Sequence, residues 1–249
     1  MSMRLLLSLA SVFTISLLAA GQAAAVSITV GFADNPSSFQ TLDSSSAALG
    51  CGEPGSLGEL TCSGTGFNEG GGWVLDDWNL FADPDPTISN TASVTNNTGS
   101  TQSFLISITL PTSISFGPPS FIRGSVGVTA TDANNDGVTL ASSGSNPIYA
   151  GLIDGAIVRT LLDAPQSLST PFASDSVATG VVNFGIPVQE SIAVATTSTI
   201  GLDIRFDLSA GDTASFTSVF DVQPIPEPGT ALLLGLGLVG LATARSRER

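Results

Sequence analysis

GLDIRFDLSAGDTASFTSVFDV, residues 201–222, alternates twice around a single turn. Leu202, Ile204, Phe206 and Leu208 fall at every second position, with Asp203, Arg205 and Asp207 between them. After Ala210-Gly211-Asp212 the pattern resumes, with Ala214, Phe216, Phe220 and Val222 set against Ser215, Thr217 and Asp221. A period of two puts the apolar set on one face of a strand and the polar set on the other, as an antiparallel sheet with one wet face requires. Asp203, Arg205 and Asp207 read as a solvated charge stripe.

The same rhythm recurs upstream. In Gln102–Leu110, Phe104, Ile106, Ile108 and Leu110 oppose Ser103, Ser107 and Thr109. Turn signals separate such segments: Asn96-Asn97-Thr98-Gly99, Asn134-Asn135-Asp136-Gly137 and Asp154-Gly155. No helical periodicity longer than a turn or two occurs away from the chain ends. Many short strands joined by Gly, Asn and Asp turns predict an all-β fold, an antiparallel β-sandwich of jelly-roll or immunoglobulin-like layout. Asp34–Gly72, rich in Ser and Gly, reads as a long loop or lobe. It holds both cysteines, Cys51 and Cys62, which in an exported chain are expected to pair as a disulfide.

Export follows from the N-terminus. Arg4 is the only charge before the apolar run Leu5–Ala20, and Ala23 and Ala25 supply the small residues of a cleavage site. Residues 1–25 thus read as a signal peptide for the Sec translocon and signal peptidase, with Val26 as the mature start. The C-terminus has three parts: Pro226-Glu227-Pro228, an uncharged run from Ala231 to Ala244, and a tail bearing Arg245, Arg247 and Arg249. As a helix that run of 14 residues spans about 21 Å, short against a hydrocarbon core of about 30 Å. The arginines would stay cytoplasmic. Proline restricts both its own backbone and the residue before it, which keeps the segment ahead of the run extended and open to an enzyme.

This order, Pro-Glu-Pro, Gly-rich apolar helix and terminal arginine cluster, resembles the PEP-CTERM sorting signal. The resemblance covers residues 224–249 and leaves 26–223 as the exported domain. It implies a Gram-negative-type bacterium and an exosortase that recognises Pro226, Glu227 and Pro228 and removes the apolar helix. It also implies transient anchoring in the inner membrane, then a cell-surface or extracellular location near exopolysaccharide. Glu227 is then a recognition residue and not a catalytic acid. Gly235-Leu236-Gly237-Leu238-Val239-Gly240 matches a dinucleotide fingerprint in letters only, since the motif needs a preceding strand and an acidic residue about 20 positions on, and only nine residues follow it.

Charge narrows the partners. Val26–Gln223 holds 19 of the 21 acidic residues and the cations Arg123, Arg159 and Arg205, a balance of −16, and the chain has neither lysine nor histidine. Nucleic acid is excluded, because phosphate binding needs cationic neutralisation. Histidine-dependent nucleophilic catalysis is excluded as well. No cofactor is required, with calcium as the open case. Asp132-Ala133-Asn134-Asn135-Asp136-Gly137 matches the first half of an EF-hand loop, making Asp132, Asn134 and Asp136 candidate ligands, but the twelfth position is Ser143, and the same letters make a β-turn. Asp83 and Asp85 form a second candidate cation pair. Trp73 and Trp78 flank Asp76 and Asp77, so they read either as core anchors or as stacking residues for a sugar. The sequence therefore points to a non-enzymatic surface or matrix protein. A carbohydrate-binding module is the alternative, and a carboxylate-based glycosidase stands third.

Overall fold

The computed structural model describes residues 25–68, 71–115, 117–171, 175–225 and Leu236. The signal peptide up to residue 24, and the sorting residues Pro226, Glu227 and Pro228 with most of the apolar run, lie outside the described residues. In chain order the strands are β1 (Ser27–Phe32), β2 (Gln40–Asp43), β3 (Leu60–Phe67), β4 (Trp73–Asp83), β5 (Thr87–Asn96), β6 (Gln102–Pro111), β7 (Ser120–Thr131) and β8 (Val138–Ala141). They continue as β9 (Tyr149–Ile153), β10 (Ala156–Leu161), β11 (Ser167–Thr170), β12 (Ser176–Phe184), β13 (Glu190–Ile192), β14 (Thr199–Leu208) and β15 (Thr213–Pro224).

They form two antiparallel sheets, as the alternation predicts. One runs β10-β9-β14-β6-β1-β2, with β8 on β14 and β11 on β8; the other runs β12-β7-β15-β5-β4-β3, with β13 on β7. The two segments that open the sequence argument thus sit in different sheets, β14 beside β6 and β15 between β5 and β7. Their inward residues meet across the core, where Phe206 packs on Phe216 at 4.6 Å, and within its own sheet Phe206 stacks on Phe104 of β6 at 5.3 Å. Tyr149 crosses from β9 and donates its hydroxyl to the Val219 carbonyl of the opposite sheet at 2.8 Å. Burial pushes that phenol well above its usual range.

Asp34–Gly72 departs from the loop expectation, because it contains β2 and β3. β3 reads LTCSGTGF, and its small residues hide the strand signal for a packing reason. A Cβ on Gly64 would lie 2.1 Å from Trp78 Cζ2, so glycine there leaves room for the indole across the ladder. The charge stripe on β14 is also less wet than the sequence implies. Asp203 is half-buried, and that burial raises its pKa against the opposing effects of the Ser107 hydroxyl and Arg205.

Candidate functional site

The strand registers divide the sandwich into two poles. At one pole β7 ends and β15 begins, with Thr131 opposite Thr213. That pairing brings two turns together, 132–137 and 209–212. Asp132 continues the buried phase of β7, and its carboxylate turns into its own loop. Oδ1 accepts from the amides of Asn134 (3.2 Å) and Asn135 (2.7 Å), and Oδ2 from Gly137 (3.0 Å). Asn135 and Gly137 hold positive φ of 69° and 96°, which points these amides inward. Burial works to raise the Asp132 pKa, but the four backbone amides around it prevail and hold it below the usual range.

Asp212 is buried and arrives from the other turn. It accepts from the Ala133 amide (3.3 Å) and from the Ser209 hydroxyl. Burial raises its pKa, as do the neighbouring Asp132 and Asp136 charges, against the Ser209 and Ala133 donors. Carboxylate oxygens of Asp132, Asp136 and Asp212 all lie within 4.8 Å of one another. Asn134 is spent on structure: its Nδ2 donates to the Ala210 carbonyl (2.9 Å) and its Oδ1 accepts from the Asp136 amide (3.1 Å). Ser143, the twelfth position of an EF-hand count, bonds Ser103 instead. The third acid is therefore Asp212, from a turn that the sequence reading treated as a turn alone. Such an oxygen-only set suits a hard divalent cation and no redox or nucleophilic chemistry.

Around this cluster the loop is tied down by Asn96. Its Nδ2 donates to the carbonyls of Ser100 (2.9 Å), Leu208 (2.9 Å) and Ser209 (3.0 Å), and its Oδ1 accepts from the amide (3.0 Å) and hydroxyl (2.7 Å) of Thr98. Its backbone also exchanges bonds with Gly211 and Asp212. One side chain thus joins the β5–β6 turn to the turn that carries Asp212.

The tryptophans lie elsewhere, in the core. Trp73 is 2% exposed and Trp78 4%. Five residues apart, they would face opposite ways on a regular strand. A bulge between Leu75 and Asp77 adds one residue and turns both inward. Trp73 packs on Phe67 with ring centroids 6.3 Å apart, and Trp78 donates its indole N–H to the Leu49 carbonyl at 3.1 Å. Neither ring offers a face to a sugar, because the bulge commits both to the space between the sheets. Asp76, the bulged residue, accepts from the Thr95 hydroxyl at 2.6 Å. Its pKa is raised by burial first and by the Asp77 charge, against Thr95.

At the opposite pole, Asp83 and Asp85 line a cleft of about 430 Å³ with Thr87, Arg123, Asp221, Gln223 and Pro224. Arg123 lines the same cleft and is paired there with buried Asp221 at 2.6 Å. Cys51 and Cys62 form a disulfide. β15 stays paired with β7 as far as Pro224, immediately before the predicted sorting residues.

No curated protein sequence matches the chain. Among solved structures, that of TmCBM61 in complex with beta-1,4-galactotriose resembles it at 13% identity, over 56% of this chain and 71% of that one, with a TM-score of 0.22. A score that low bears on neither fold nor ligand. The C-terminal end gives a specific result: residues 224–247 match the family model of the PEP-CTERM protein-sorting motif, and the chain carries that motif.

Proposed function

We propose that the protein is an exported, non-enzymatic structural component of the cell surface or extracellular matrix, delivered by a C-terminal signal that an exosortase recognises and removes. The sorting motif at residues 224–247 carries this reading. Signal peptidase would act after Ala25, a boundary supported by burial: among the described residues Ala25 is exposed, while Val26 is the first that is buried in the core. Pro226, Glu227 and Pro228 are the recognition residues, and the run 231–244 anchors the chain in the inner membrane until it is cut away.

The role after delivery is that of a stable, strongly acidic scaffold. Carboxylates that could serve chemistry are spent on structure, as with Asp132, Asp212 and Asp76. Calcium, held by Asp132 and Asp136 with Asp212, would act here as a staple between two turns and not as a catalyst. Exopolysaccharide remains a partner by surroundings, through the exposed Ser and Thr hydroxyls of the strands. Stacking by Trp73 and Trp78 has no support, because both rings lie in the core.

Mass spectrometry of the mature protein from its native host tests the sorting reading. An N-terminus at Val26 and loss of the apolar run are expected. A chain ending at Arg249 overturns it.

A further inference from the structure

The last strand ends at a pole with an unusual surface. Registers place the start of β3 (Leu60 opposite Ala82), the β4–β5 turn (Asp83 opposite Thr87), the start of β7 (Ser120 opposite Pro224) and the end of β12 (Phe184 opposite Gly124) at one end of the sandwich. The loops leaving these points ring the place where the chain exits at Pro224. Their tips are aliphatic and bare: Leu57 is 76% exposed, Ile114 40%, Ile186 49% and Val188 80%. The domain's other large exposed apolar residues among those described, Phe81, Ile157 and Val181, lie on strands. The tips are held by the scaffold. The Ser113 amide bonds the Pro84 carbonyl at 3.2 Å, and a Cβ at Gly58 would meet Pro84 at 3.5 Å. Gln189 donates to Gln223 of β15 at 2.8 Å, fixing the loop of Ile186 and Val188 beside the exit.

Chain length then decides what these tips can reach. Residues 226–230 separate Ile225, the last described residue of the domain, from the apolar run at Ala231. Fully extended, the six steps between Ile225 and Ala231 cover at most about 20 Å. The run itself is shorter than a bilayer core, so its outer end is drawn toward the hydrocarbon and takes up part of that reach. The exit pole cannot turn away from the membrane while the anchor is attached.

We propose that, before the anchor is removed, the aliphatic tips Leu57, Ile114, Ile186 and Val188 rest in the outer face of the bilayer and orient the domain, with the Asp132–Asp212 pole pointing outward. This rests on the anchoring reading given above. The cation at this pole, Arg123, is paired with Asp221, and Asp83, Asp85 and Glu59 stand near the tips, so anionic headgroups do not attract it. Insertion is shallow and sustained by the tether, which makes it an intramolecular contact. Loss of the anchor then frees the domain, since four tips without basic residues hold no surface alone.

Full-length chain reconstituted in phosphatidylcholine vesicles containing spin-labelled lipid provides the test. Variants V188C, L57C and, at the far pole, N97C, each adding one free thiol beside the intact Cys51–Cys62 disulfide, carry an environment-sensitive fluorophore. Lipid quenching at Val188 and Leu57 is expected to exceed that at Asn97 by at least about twofold, with a blue-shifted emission. Equal quenching at the two poles in chain that floats with the vesicles overturns the proposal and leaves anchoring intact. Chain that fails to float overturns anchoring and this proposal together. Burial of the Val188 probe that grows with protein-to-lipid ratio, without lipid quenching, assigns the tips to a second copy and also overturns it.

Discussion

Replacing Asn96 by alanine should unfold the domain about 10 °C earlier, a figure that can be worked from the side chain's partners. The amide nitrogen serves three carbonyls and the amide oxygen serves the amide and hydroxyl of Thr98. The bond to Leu208 is buried, so its loss leaves a carbonyl with no water to turn to, at about 1–3 kcal/mol. The part-buried bonds to Ser209, Ser100 and Thr98 contribute about 1 kcal/mol or less each. The total is about 3–5 kcal/mol, and at about 2–4 °C per kcal/mol for a domain of this size the melting point falls by roughly 10 °C. Thermal unfolding by circular dichroism reads it directly. Two controls sharpen the result. Thr98→Val removes one hydroxyl and should cost about 1 kcal/mol. Asn96→Asp aims a carboxylate at three carbonyls, which raises the folded-state pKa of the new acid. Its penalty is absent below the unfolded value of about 3.9 and grows as pH rises above it, so this variant should recover toward wild type in acid. If Asn96→Ala melts within about 2 °C of Thr98→Val, the clamp does not join the turns and the reasoning fails.

Cys51→Ser with Cys62→Ser should lower stability by about 3 kcal/mol, the chain-entropy value for so short a loop, measured by urea unfolding; no change in midpoint would mean that the loop is already ordered without the bond. Calcium should raise the melting temperature of the wild type over that in chelator, and Asp136→Ala should abolish the difference; identical melting in both buffers removes calcium from the site. Asp154 accepts from Thr197, Ser198 and Thr199, and although burial opposes them, those donors hold its pKa below the usual carboxylate range. Its contribution is therefore full above the unfolded pKa of about 3.9 and lost as pH falls below that, so Asp154→Asn should destabilise at neutral pH and flatten the acid limb of the stability curve.

How much of this was legible depends on whether the relevant physics was local. β6, β14 and β15 alternate cleanly because each buries one face against the opposite sheet and wets the other, and the period of two survives in the letters. β3 did not show itself, because a strand lying under an indole must carry glycine where a sequence pattern looks for valine or threonine. The tryptophans were ambiguous for a related reason. Their odd spacing places one ring outside on a regular strand, and only the bulge at Asp76, fixed by pairing with β5, brings both inside. Asp132 and Asp136 could be found by motif, since their spacing lies within one loop. Asp212 could not, because its nearness depends on β7 and β15 being neighbours with Thr131 opposite Thr213. The missing signal is strand pairing: two acidic turns at the ends of paired strands necessarily meet.

That pairing also orders the molecule along one axis. β15 leaves the acidic turn at Asp212 and ends at Pro224, so a single central strand, bonded on both sides, connects the carboxylate cluster to the sorting motif. A 12-residue strand is about 40 Å long. The two poles are therefore separated by nearly the full length of the sandwich, and what one pole touches cannot also touch the other. On the sorting reading proposed above, one end is left to the processing enzyme, while the exposed Asp136 and its buried partners Asp132 and Asp212 lie at the other. Glu59, whose carboxylate accepts from the Leu57 amide at 2.9 Å, limits how deep Leu57 can sit in lipid, whereas charge at Asp132, Asp136 and Asp212 lies a strand's length from the bilayer and costs that contact nothing. A variant that moved the sorting motif to the acidic pole, by circular permutation through the 209–212 turn, would set these requirements against each other. It should retain the fold, lose the lipid quenching at Val188, and show whether the enzyme that cuts the anchor needs the aliphatic pole beside its substrate or the motif alone.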